Sequence, residues 1–502
     1  MKYQNPVIKG FHPDPSVCRV GKDYYLVTST FEYFPCIPVY HSTDLVNWEL
    51  IGHCIDRPEQ LPMDAANASG GVWAPTIRYH EGTFYVTATF SEKGNFIVSS
   101  KTPGGGYSDP VWTEMDGIDP SMYFEDGEMY YCANDFGSRY QGRDSISAAR
   151  MDPDTGRLKG EITCIWNGTG NGWLEAPHIY HIDGYYYLFV AEGGSGWGHM
   201  VNVARSRSIW GPYEACPANP ILTNRNDASK RVLETGHADL IDDGEGNYYI
   251  VHLGIRSVCG SKSNLGRETF LMPVTREDGW FLVEGGKALP EAETRFEGTQ
   301  KSPVTFAADF TESRWEKEWV FIGAPCEKNY ARGNGELVLH PSGKTLVEGR
   351  MGVTFAAVRQ PDFECEAHAV LQCDGSDIAC GLAAYVVPGF LYRIYKSCEA
   401  DGSYVVVEKF AEDFHQIAYR EKVPQGEVEF IIRADRSHYH FSYRINGSTV
   451  NAADASIRFL CTGVANRCFT GTVVGVFAEG NEEERAVVKR FEVSERASDQ
   501  QA

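Results

Sequence analysis

The first half of the chain repeats one short pattern five times, and this repetition constrains the fold more than any other feature. Each copy places a proline or aspartate ten residues before an aromatic residue, with a glycine-containing turn between them. The five pairs are Pro15 and Tyr25, Pro75 and Tyr85, Pro120 and Tyr130, Pro177 and Tyr187, and Asp239 and Tyr249. Because two short apolar runs joined by such a turn are typical of a β-hairpin, each copy predicts one hairpin.

The distance between the copies indicates how many strands each repeat unit contains. The copies begin between 45 and 62 residues apart, and a four-stranded propeller blade takes about 40 to 45 residues plus loops. Helical solenoids are excluded because each unit is built around an aromatic, turn-rich hairpin. The repeats therefore predict a five-bladed β-propeller, which the 51 glycines and the 13% of aromatic residues suit.

Residues 290–303 separate the repeats from a region of different character. This stretch is polar and acidic and contains Pro290 and Pro303, as a domain linker does. Beyond it the repeat stops, and strand-length apolar or alternating segments follow, with a hairpin turn at Asn446-Gly447. We therefore predict an all-β chain with a five-bladed propeller domain at 1–298, a jelly-roll-like β-sandwich at 304–497 and a tail at 498–502.

The charge of the chain excludes several classes of partner. Lysine and arginine number 46 and aspartate and glutamate 68, so the net charge is −22. Such a chain repels phosphate backbones and anionic lipids, which argues against nucleic acid and membrane surfaces as partners. No apolar run reaches the length of a membrane span, and no apolar segment follows Met1, so we expect a cytoplasmic protein. A homo-oligomer stays open.

The cysteines give no sign of a metal centre or a disulfide framework. There are 14 of them, scattered along the chain without a single C-x-x-C pair. Because zinc sites need closely spaced ligands, we expect these residues to be reduced and mostly buried thiols.

The repeat also predicts where chemistry is placed, because equivalent positions on propeller blades converge on the central channel. Asp14 and Asp119 directly precede their repeat anchors, and Glu175 lies one position earlier in its own repeat, in phase with Trp73 and His237. Three converging carboxylates repel one another, which raises at least one pKa and keeps one acid protonated near neutral pH. The pattern therefore predicts general acid–base chemistry at one mouth of the channel.

Five motifs, in order along the chain, resemble those of glycoside hydrolase family 43. They are Phe11-His12-Pro13-Asp14-Pro15, Gly117-Ile118-Asp119-Pro120-Ser121, Trp173-Leu174-Glu175-Ala176-Pro177, Thr235-Gly236-His237-Ala238 and Leu265-Gly266-Arg267-Glu268-Thr269. The resemblance extends over the whole chain, because the β-xylosidase and α-L-arabinofuranosidase branch carries a C-terminal β-sandwich of this size.

The resemblance implies an inverting, exo-acting hydrolase that releases terminal pentoses from xylan- or arabinan-derived oligosaccharides. Asp14 would be the general base, Glu175 the general acid, and Asp119 the residue that orients Glu175 and raises its pKa. An inverting enzyme leaves roughly 6.5 to 9.5 Å between its two carboxyl groups for a water molecule. Arg267 would hold a pentose hydroxyl and counter the carboxylates.

The resemblance further implies the walls of the substrate pocket. Phe31 and Trp73 would form apolar walls. Phe469, in the second-domain segment Cys468-Phe469-Thr470-Gly471, would close one end and restrict the enzyme to chain termini. His237 would lie deep in the channel, either meeting a hydrated calcium ion through water molecules or acting as a hydrogen-bonded histidine without metal. No cofactor is required.

Three readings of function are compatible with this architecture. The first is the exo-acting α-L-arabinofuranosidase or β-D-xylosidase, whose relative activities on the two sugars the sequence leaves open. The second is an endo-arabinanase, which would need an open groove in place of a pocket closed by Phe469. The third is a propeller that binds carbohydrate without catalysis, and the presence of all three carboxylates and Arg267 argues against it.

Overall fold

The computed structural model describes residues 1–136, 144–229, 231–258, 262–301, 305–349, 351–465 and 468–496. The predicted tail at 498–502, the linker residue Pro303 and the two outer limits of the predicted sandwich, 304 and 497, lie outside the described residues.

Five four-stranded antiparallel sheets follow one another along residues 16–283, after a short strand β1 (Lys2–Gln4). The first sheet contains β2 (Ser16–Val20), β3 (Asp23–Val27), β5 (Cys36–Ser42) and β6 (Glu49–Ile55), with β4 (Tyr33–Phe34) between β3 and β5. The second contains β7 (Val72–His80), β8 (Thr83–Phe90), β9 (Gly94–Ser100) and β10 (Val111–Trp112), and the third β11 (Ser121–Glu125), β12 (Glu128–Asp135), β13 (Ser145–Met151) and β14 (Thr163–Trp166).

The last two sheets have the same order. They are β15 (Glu175–Ile182), β16 (Tyr185–Glu192), β17 (Met200–Ser206) and β18 (Glu214–Ala215), and β19 (Val232–Asp242), β20 (Tyr248–Arg256), β21 (Glu268–Glu277) and β22 (Trp280–Val283). The first two strands of every sheet are a predicted hairpin, and each hairpin pairs as the repeat indicates.

The first strands of the five sheets contact one another in succession, β2 with β7, β7 with β11, β11 with β15, β15 with β19 and β19 with β2. This closed ring confirms the five-bladed propeller, with the first strands around the central channel. After the fifth blade the chain returns to its start, because β23 (Glu291–Glu293) pairs with β1.

Asp239 joins four blades at the channel, where it takes the place that proline holds in the other repeats. Its Oδ2 accepts hydrogen bonds from the Ser16 hydroxyl (2.6 Å), the Val17 amide (3.0 Å) and the Arg78 guanidinium (2.9 Å), and its Oδ1 accepts one from the Tyr180 hydroxyl. Burial alone would raise the pKa of Asp239, but Arg78 outweighs it and holds the pKa well below its usual range. This buried, paired carboxylate ties the inner strands together beside the mouth where the site lies.

The second domain begins with β24 (Thr305–Ala307) and β25 (Phe321–Ile322) and is built from two antiparallel sheets. One sheet joins β24 to seven further strands, which are β26 (Tyr330–Gly333), β27 (Glu336–Leu339), β29 (Cys365–Gln372), β34 (Glu427–Ala434), β35 (His438–Ile445), β36 (Ser448–Ser456) and β38 (Ala486–Glu495). The other has the order β28 (Phe355–Arg359), β37 (Val473–Gly480), β30 (Ile378–Val387), β31 (Phe390–Glu399), β32 (Gly402–Ala411) and β33 (Phe414–Val423). These sheets confirm the predicted β-sandwich.

The described residues contain no α-helix, only four short 3-10 helices, at Met63–Ala65, Glu284–Gly286, Glu327–Asn329 and Ile457–Leu460. Within these ranges, therefore, no helix has the length and apolar character needed to cross a membrane.

The two domains share a core and a strand pairing. β25 pairs with β4, which follows the first hairpin of the propeller. One buried apolar cluster includes Phe11, Phe31 and Tyr33 from the propeller together with Phe355 and Phe477 from the sandwich. Because this cluster lies beside the channel mouth, burial of apolar surface fixes the sandwich next to the residues predicted to bind substrate.

Candidate active site

A cavity of about 580 Å³ opens at the mouth of the propeller channel, and we call it the channel cavity. All eight residues predicted for the site line it, which are Asp14, Phe31, Trp73, Asp119, Glu175, His237, Arg267 and Phe469. Seven come from the propeller and lie in different repeats or loops, and Phe469 comes from the sandwich. The structure therefore brings together every candidate that sequence phase and resemblance singled out.

The backbone turns sharply where each inner strand reaches the cavity. Asp14, Ala74, Asp119, Ala176 and His237 all have left-handed backbone conformations, with φ between 42° and 55°. Such a conformation costs an L-residue roughly 1–2 kcal/mol, and strained backbone of this kind concentrates at functional sites. At these five positions the left-handed backbone redirects the chain at the start of each blade.

The fifth blade departs from the repeat by one position. The phase of the first four blades would place the left-handed residue at Ala238, but the structure has it at His237. Strand β19 shifts register twice, between Leu233 and Gly236 and between Gly236 and Asp239. These irregularities bring His237 to the place that Asp14 and Asp119 hold in their blades.

Asp14 is held as an ionised carboxylate. The Arg267 guanidinium lies 2.8 Å from its Oδ1, and the Ser29 hydroxyl donates to its Oδ2 at 2.6 Å. Burial alone would raise the pKa of Asp14, but Arg267, His237 and the Ser29 hydrogen bond outweigh it and lower the pKa. Ser29 also accepts the Ala74 amide at 2.6 Å, which fixes the hydroxyl between two blades. A fixed, charged carboxylate is what a general base requires.

Asp119 and Glu175 have the opposite character. Burial, then the nearby Asp14 charge, raises the pKa of Glu175 to about 8. Burial and the Glu175 carboxyl raise the pKa of Asp119 well above its usual range. Because two neighbouring buried carboxyl groups cannot both ionise cheaply, this pair keeps a proton at neutral pH. The cavity therefore combines an ionised carboxylate with a protonated carboxyl group, as acid–base catalysis needs.

His237 lies close to two carboxyl groups, those of Asp14 in the first blade and Asp119 in the third. Its Nδ1 is 3.6 Å from Asp14 Oδ1 and 3.9 Å from Asp119 Oδ2. Burial outweighs the attraction of Asp14 and lowers the pKa of His237, so the ring is neutral at pH 7. Calcium takes six to eight oxygen ligands, and the described residues contain no group of three or more His, Cys, Asp or Glu arranged to hold a metal ion. These side chains do not fit a directly coordinated calcium ion.

Phe31, Trp73 and Phe469 form an aromatic wall on one side of the cavity. Phe31 and Phe469 are stacked with their ring centroids 5.9 Å apart, and Trp73 lies 6.5 Å from Phe31. The Arg267 guanidinium lies 5.5 Å from the Phe31 ring and 5.6 Å from the Phe469 ring, and it donates to the Phe469 carbonyl at 3.3 Å. Apolar rings beside fixed polar groups are typical of a sugar-binding pocket.

Two further aromatic residues of the cavity, both exposed, were not predicted from the sequence. Phe136 and Trp173 line the cavity with their rings 6.3 Å apart, and Gly194 lies against the Trp173 ring. Trp173 stands two positions before Glu175 in its motif, which is a signal that could have marked it. Phe136 follows β12 in a loop, where nothing in the repeat indicates its direction.

The channel mouth of this propeller holds an ionised carboxylate, a protonated carboxyl group and an aromatic wall. This combination is typical of a class of glycoside hydrolases. The family description "Glycosyl hydrolases family 43" matches residues 3–281, and "Beta xylosidase C-terminal Concanavalin A-like domain" matches residues 307–494. The chain belongs to glycoside hydrolase family 43, as the motifs indicated.

Named relatives match over most of the chain. The non-reducing end alpha-L-arabinofuranosidase BoGH43B of Bacteroides ovatus is 38% identical over 494 residues, 95% of this chain and 92% of that protein. A xylosidase/arabinosidase of Butyrivibrio fibrisolvens is 44% identical over 331 residues, 62% of this chain and 64% of that protein. A solved structure titled "Bacteroides ovatus Xyloglucan PUL GH43B" superimposes with a TM-score of 0.92 at 36% identity, covering 98% of this chain and 99% of the other.

We expect Phe469→Ala to weaken substrate binding more than it lowers the chemical rate. Phe469 touches Phe31 and Arg267 but adds no acid or base, so its loss removes apolar contact with the sugar. The expected cost is about 1–3 kcal/mol in binding, seen as a raised KM with kcat nearly unchanged. Steady-state kinetics on an aryl pentoside measures both, with Phe459→Ala, an exposed phenylalanine of the sandwich away from the cavity, as the control. A fall in kcat alone would contradict this role.

Proposed function

We propose that this chain is an exo-acting, inverting glycosidase that removes terminal α-L-arabinofuranose or β-D-xylose units from xylan- or arabinan-derived oligosaccharides. The observation that carries the proposal is that Asp14, Glu175 and Arg267 share a cavity that Phe469, from the second domain, also lines. We propose that Phe469 closes one side of this cavity, so that it accepts a chain end more readily than the middle of a polymer. The names of the two relatives, an arabinofuranosidase and a xylosidase/arabinosidase, support the pentose substrate.

The proposed reaction follows from the protonation states of the site. Asp14, ionised beside Arg267, takes a proton from a water molecule on one face of the terminal sugar. Glu175, protonated at neutral pH, gives its proton to the oxygen of the leaving group. Water attacks the anomeric carbon as the glycosidic bond breaks, so the product has inverted configuration. Arg267 holds the charge of Asp14 and offers a donor to a sugar hydroxyl.

A panel of nitrophenyl glycosides tests the proposal. We expect hydrolysis of the α-L-arabinofuranoside, the β-D-xyloside or both, and no hydrolysis of the corresponding hexosides. Linear arabinan with internal dye labels separates this activity from an endo-arabinanase, which would release soluble dye early. Binding of pentosides without hydrolysis would instead support the non-catalytic propeller.

The proposed role of Asp119 is to hold Glu175 protonated. For an acid with a raised pKa, activity is present below that pKa and is lost as the pH rises through about 8. We expect Asp119→Asn to move this alkaline limb of the kcat/KM profile to lower pH and to reduce the rate, because Asp119 and Glu175 titrate as a coupled pair whose last proton is held more tightly than that of a single carboxyl group. A pH–rate series with an aryl pentoside measures the shift. An unmoved limb would show that Asp119 does not act on Glu175 through charge.

Three further predictions, on a calcium ion, the cellular location and the oligomeric state, are proposals. A hydrated calcium ion in the channel would meet His237 through water molecules, beside the proton transfers proposed for Asp14 and Glu175. We propose a cytoplasmic location, which fractionation of cells measures. The third, a homo-oligomer, stays open, and light scattering measures the oligomeric state.

A further inference from the structure

Ser69 forms hydrogen bonds to two residues of the aromatic wall, Trp73 of the propeller and Phe469 of the sandwich. It is buried, it has a left-handed backbone with φ of 59°, and each of its polar groups bonds to a different element. Its carbonyl accepts the Trp73 indole N–H at 3.1 Å, and its hydroxyl accepts the Phe469 amide at 3.0 Å. Its own amide donates to Glu32 Oε2 at 2.9 Å. The position of two wall residues therefore depends on one serine.

The loop that carries Ser69 is pressed against the segment that carries Glu32. A Cβ on Gly71 would come within 2.2 Å of the Phe31 carbonyl oxygen, so only glycine permits this approach. At the same contact Phe31 and Val72 exchange backbone hydrogen bonds, and the Phe31 carbonyl accepts the Val72 amide. Because the backbone is held here, the Glu32 carboxyl is fixed where it accepts the Ser69 amide.

Glu32 is an unusual residue for its surroundings. Its side chain is 1% exposed, and its Oε1 has no hydrogen-bond partner among the described residues. Burial raises the pKa of Glu32 to about 8, so it is neutral at pH 7. Its backbone carbonyl accepts the Gly323 amide of the sandwich at 2.9 Å, so it stands at the contact between the domains. No cation of the described residues acts on the Glu32 carboxyl, and a buried carboxyl that lacks one costs stability, which calls for a compensating role.

We infer that Glu32 is a positioning residue for the substrate pocket, which holds Trp73 and Phe469 in place through Ser69 and so sets the affinity for the terminal sugar. The inference rests on the proposed function. Glu32 does not line the channel cavity, so it acts only through the residues it positions. The Ser69 amide needs an acceptor because it is buried, and the left-handed Ser69 needs a contact that offsets its strain.

The test compares Glu32→Leu with Glu32→Gln. Leucine introduces an apolar side chain of similar size and removes the acceptor for the Ser69 amide. Glutamine keeps an acceptor oxygen and is uncharged, as the protonated Glu32 carboxyl is. We expect Glu32→Leu to raise KM for an aryl pentoside and Ki for the free pentose together, each by about tenfold, with kcat changed less than about twofold. Glu32→Gln should have KM and Ki close to those of the unmodified chain.

Ser69→Ala provides a second test, which does not depend on correct folding of the Glu32→Leu variant. It removes only the hydroxyl that accepts the Phe469 amide, so KM should rise by a few-fold. The double variant Glu32→Leu, Ser69→Ala should raise KM by less than the product of the two single effects, because both act through one contact. Unchanged KM in Ser69→Ala, or equal KM in Glu32→Leu and Glu32→Gln, would overturn the inference.

Failure of the inference is distinguishable from failure of the proposed function. Hydrolysis of pentosides by the unmodified chain decides the function, while the ratios of KM between variants decide the role of Glu32. Thermal unfolding of each variant is measured in parallel. A lowered Tm with unchanged KM and Ki would show that Glu32 stabilises the domain contact only, and this result would also overturn the inference.

Discussion

Glu175→Ala is expected to slow hydrolysis of xylo- or arabino-oligosaccharides by about 10²- to 10⁴-fold, the usual contribution of a general acid. Sugar leaving groups need a proton, and the only proposed donor is the carboxyl whose pKa burial and Asp14 raise to about 8. Aryl pentosides with a good leaving group depart without protonation, so their hydrolysis should fall by less than about tenfold. The measurement is kcat/KM for both substrate classes.

The chain offers a matched control for this experiment. Asp152-Pro153 has the same type of dipeptide as the Asp14 repeat, but it lies out of phase, and Asp152 Oδ1 accepts the Asp154 and Thr155 amides in a turn. Asp152→Ala should leave both substrate classes unaffected. An equal loss on oligosaccharides and aryl pentosides in Glu175→Ala would show that Glu175 is not the acid.

The ring of blades could be predicted because each repeat can be recognised from a short stretch of the sequence. Each hairpin is determined by a turn and an aromatic residue ten positions after its anchor, and closure of five hairpins around one axis follows from their number. Closure then brings Asp14, Asp119 and Glu175 together without any loop being known. The position of each carboxylate within its repeat was enough to find it, because equivalent positions in the repeats lie at equivalent places in the blades.

The remaining parts of the site could not be predicted because they depend on contacts between distant loops. Phe136 is placed by the loop after β12, and the link from Glu32 through Ser69 to Phe469 joins segments 400 residues apart. The shift of the left-handed residue to His237 follows from register changes inside β19 that no single repeat reveals. Loop conformation is set by tertiary packing, which the local pattern does not contain.

The resemblance to a family identified one site residue that the phase of the repeats could not identify. Phe469 belongs to the sandwich, outside the repeats, and only its Cys468-Phe469-Thr470-Gly471 segment marked it. The structure gives a physical reason for its place, because Gly471 meets the Leu265 carbonyl so closely that a Cβ there would lie 2.1 Å from it. This close approach brings the sandwich segment beside Arg267 and hence beside the base.

Asp14→Asn is expected to lower kcat by about 10²- to 10⁴-fold on oligosaccharides and aryl pentosides alike. Every substrate needs an activated water molecule, whatever its leaving group, so the loss should not depend on the leaving group. The asparagine still accepts the Ser29 hydroxyl, which limits the change in shape. The alkaline limb of any residual activity should move to lower pH, because the Asp14 charge adds to burial in raising the pKa of Glu175.

Ser29→Ala is the control that separates the charge of Asp14 from its hydrogen bond. It removes the 2.6 Å bond to Asp14 but leaves the carboxylate paired with Arg267, so it should cost far less activity than Asp14→Asn. Proton NMR of the first product formed by the unmodified chain completes the argument. If Asp14 activates water on the face opposite the leaving group, the released pentose has inverted anomeric configuration. A retained configuration would require a carboxylate to attack the sugar directly and would exclude Asp14 as the base for water.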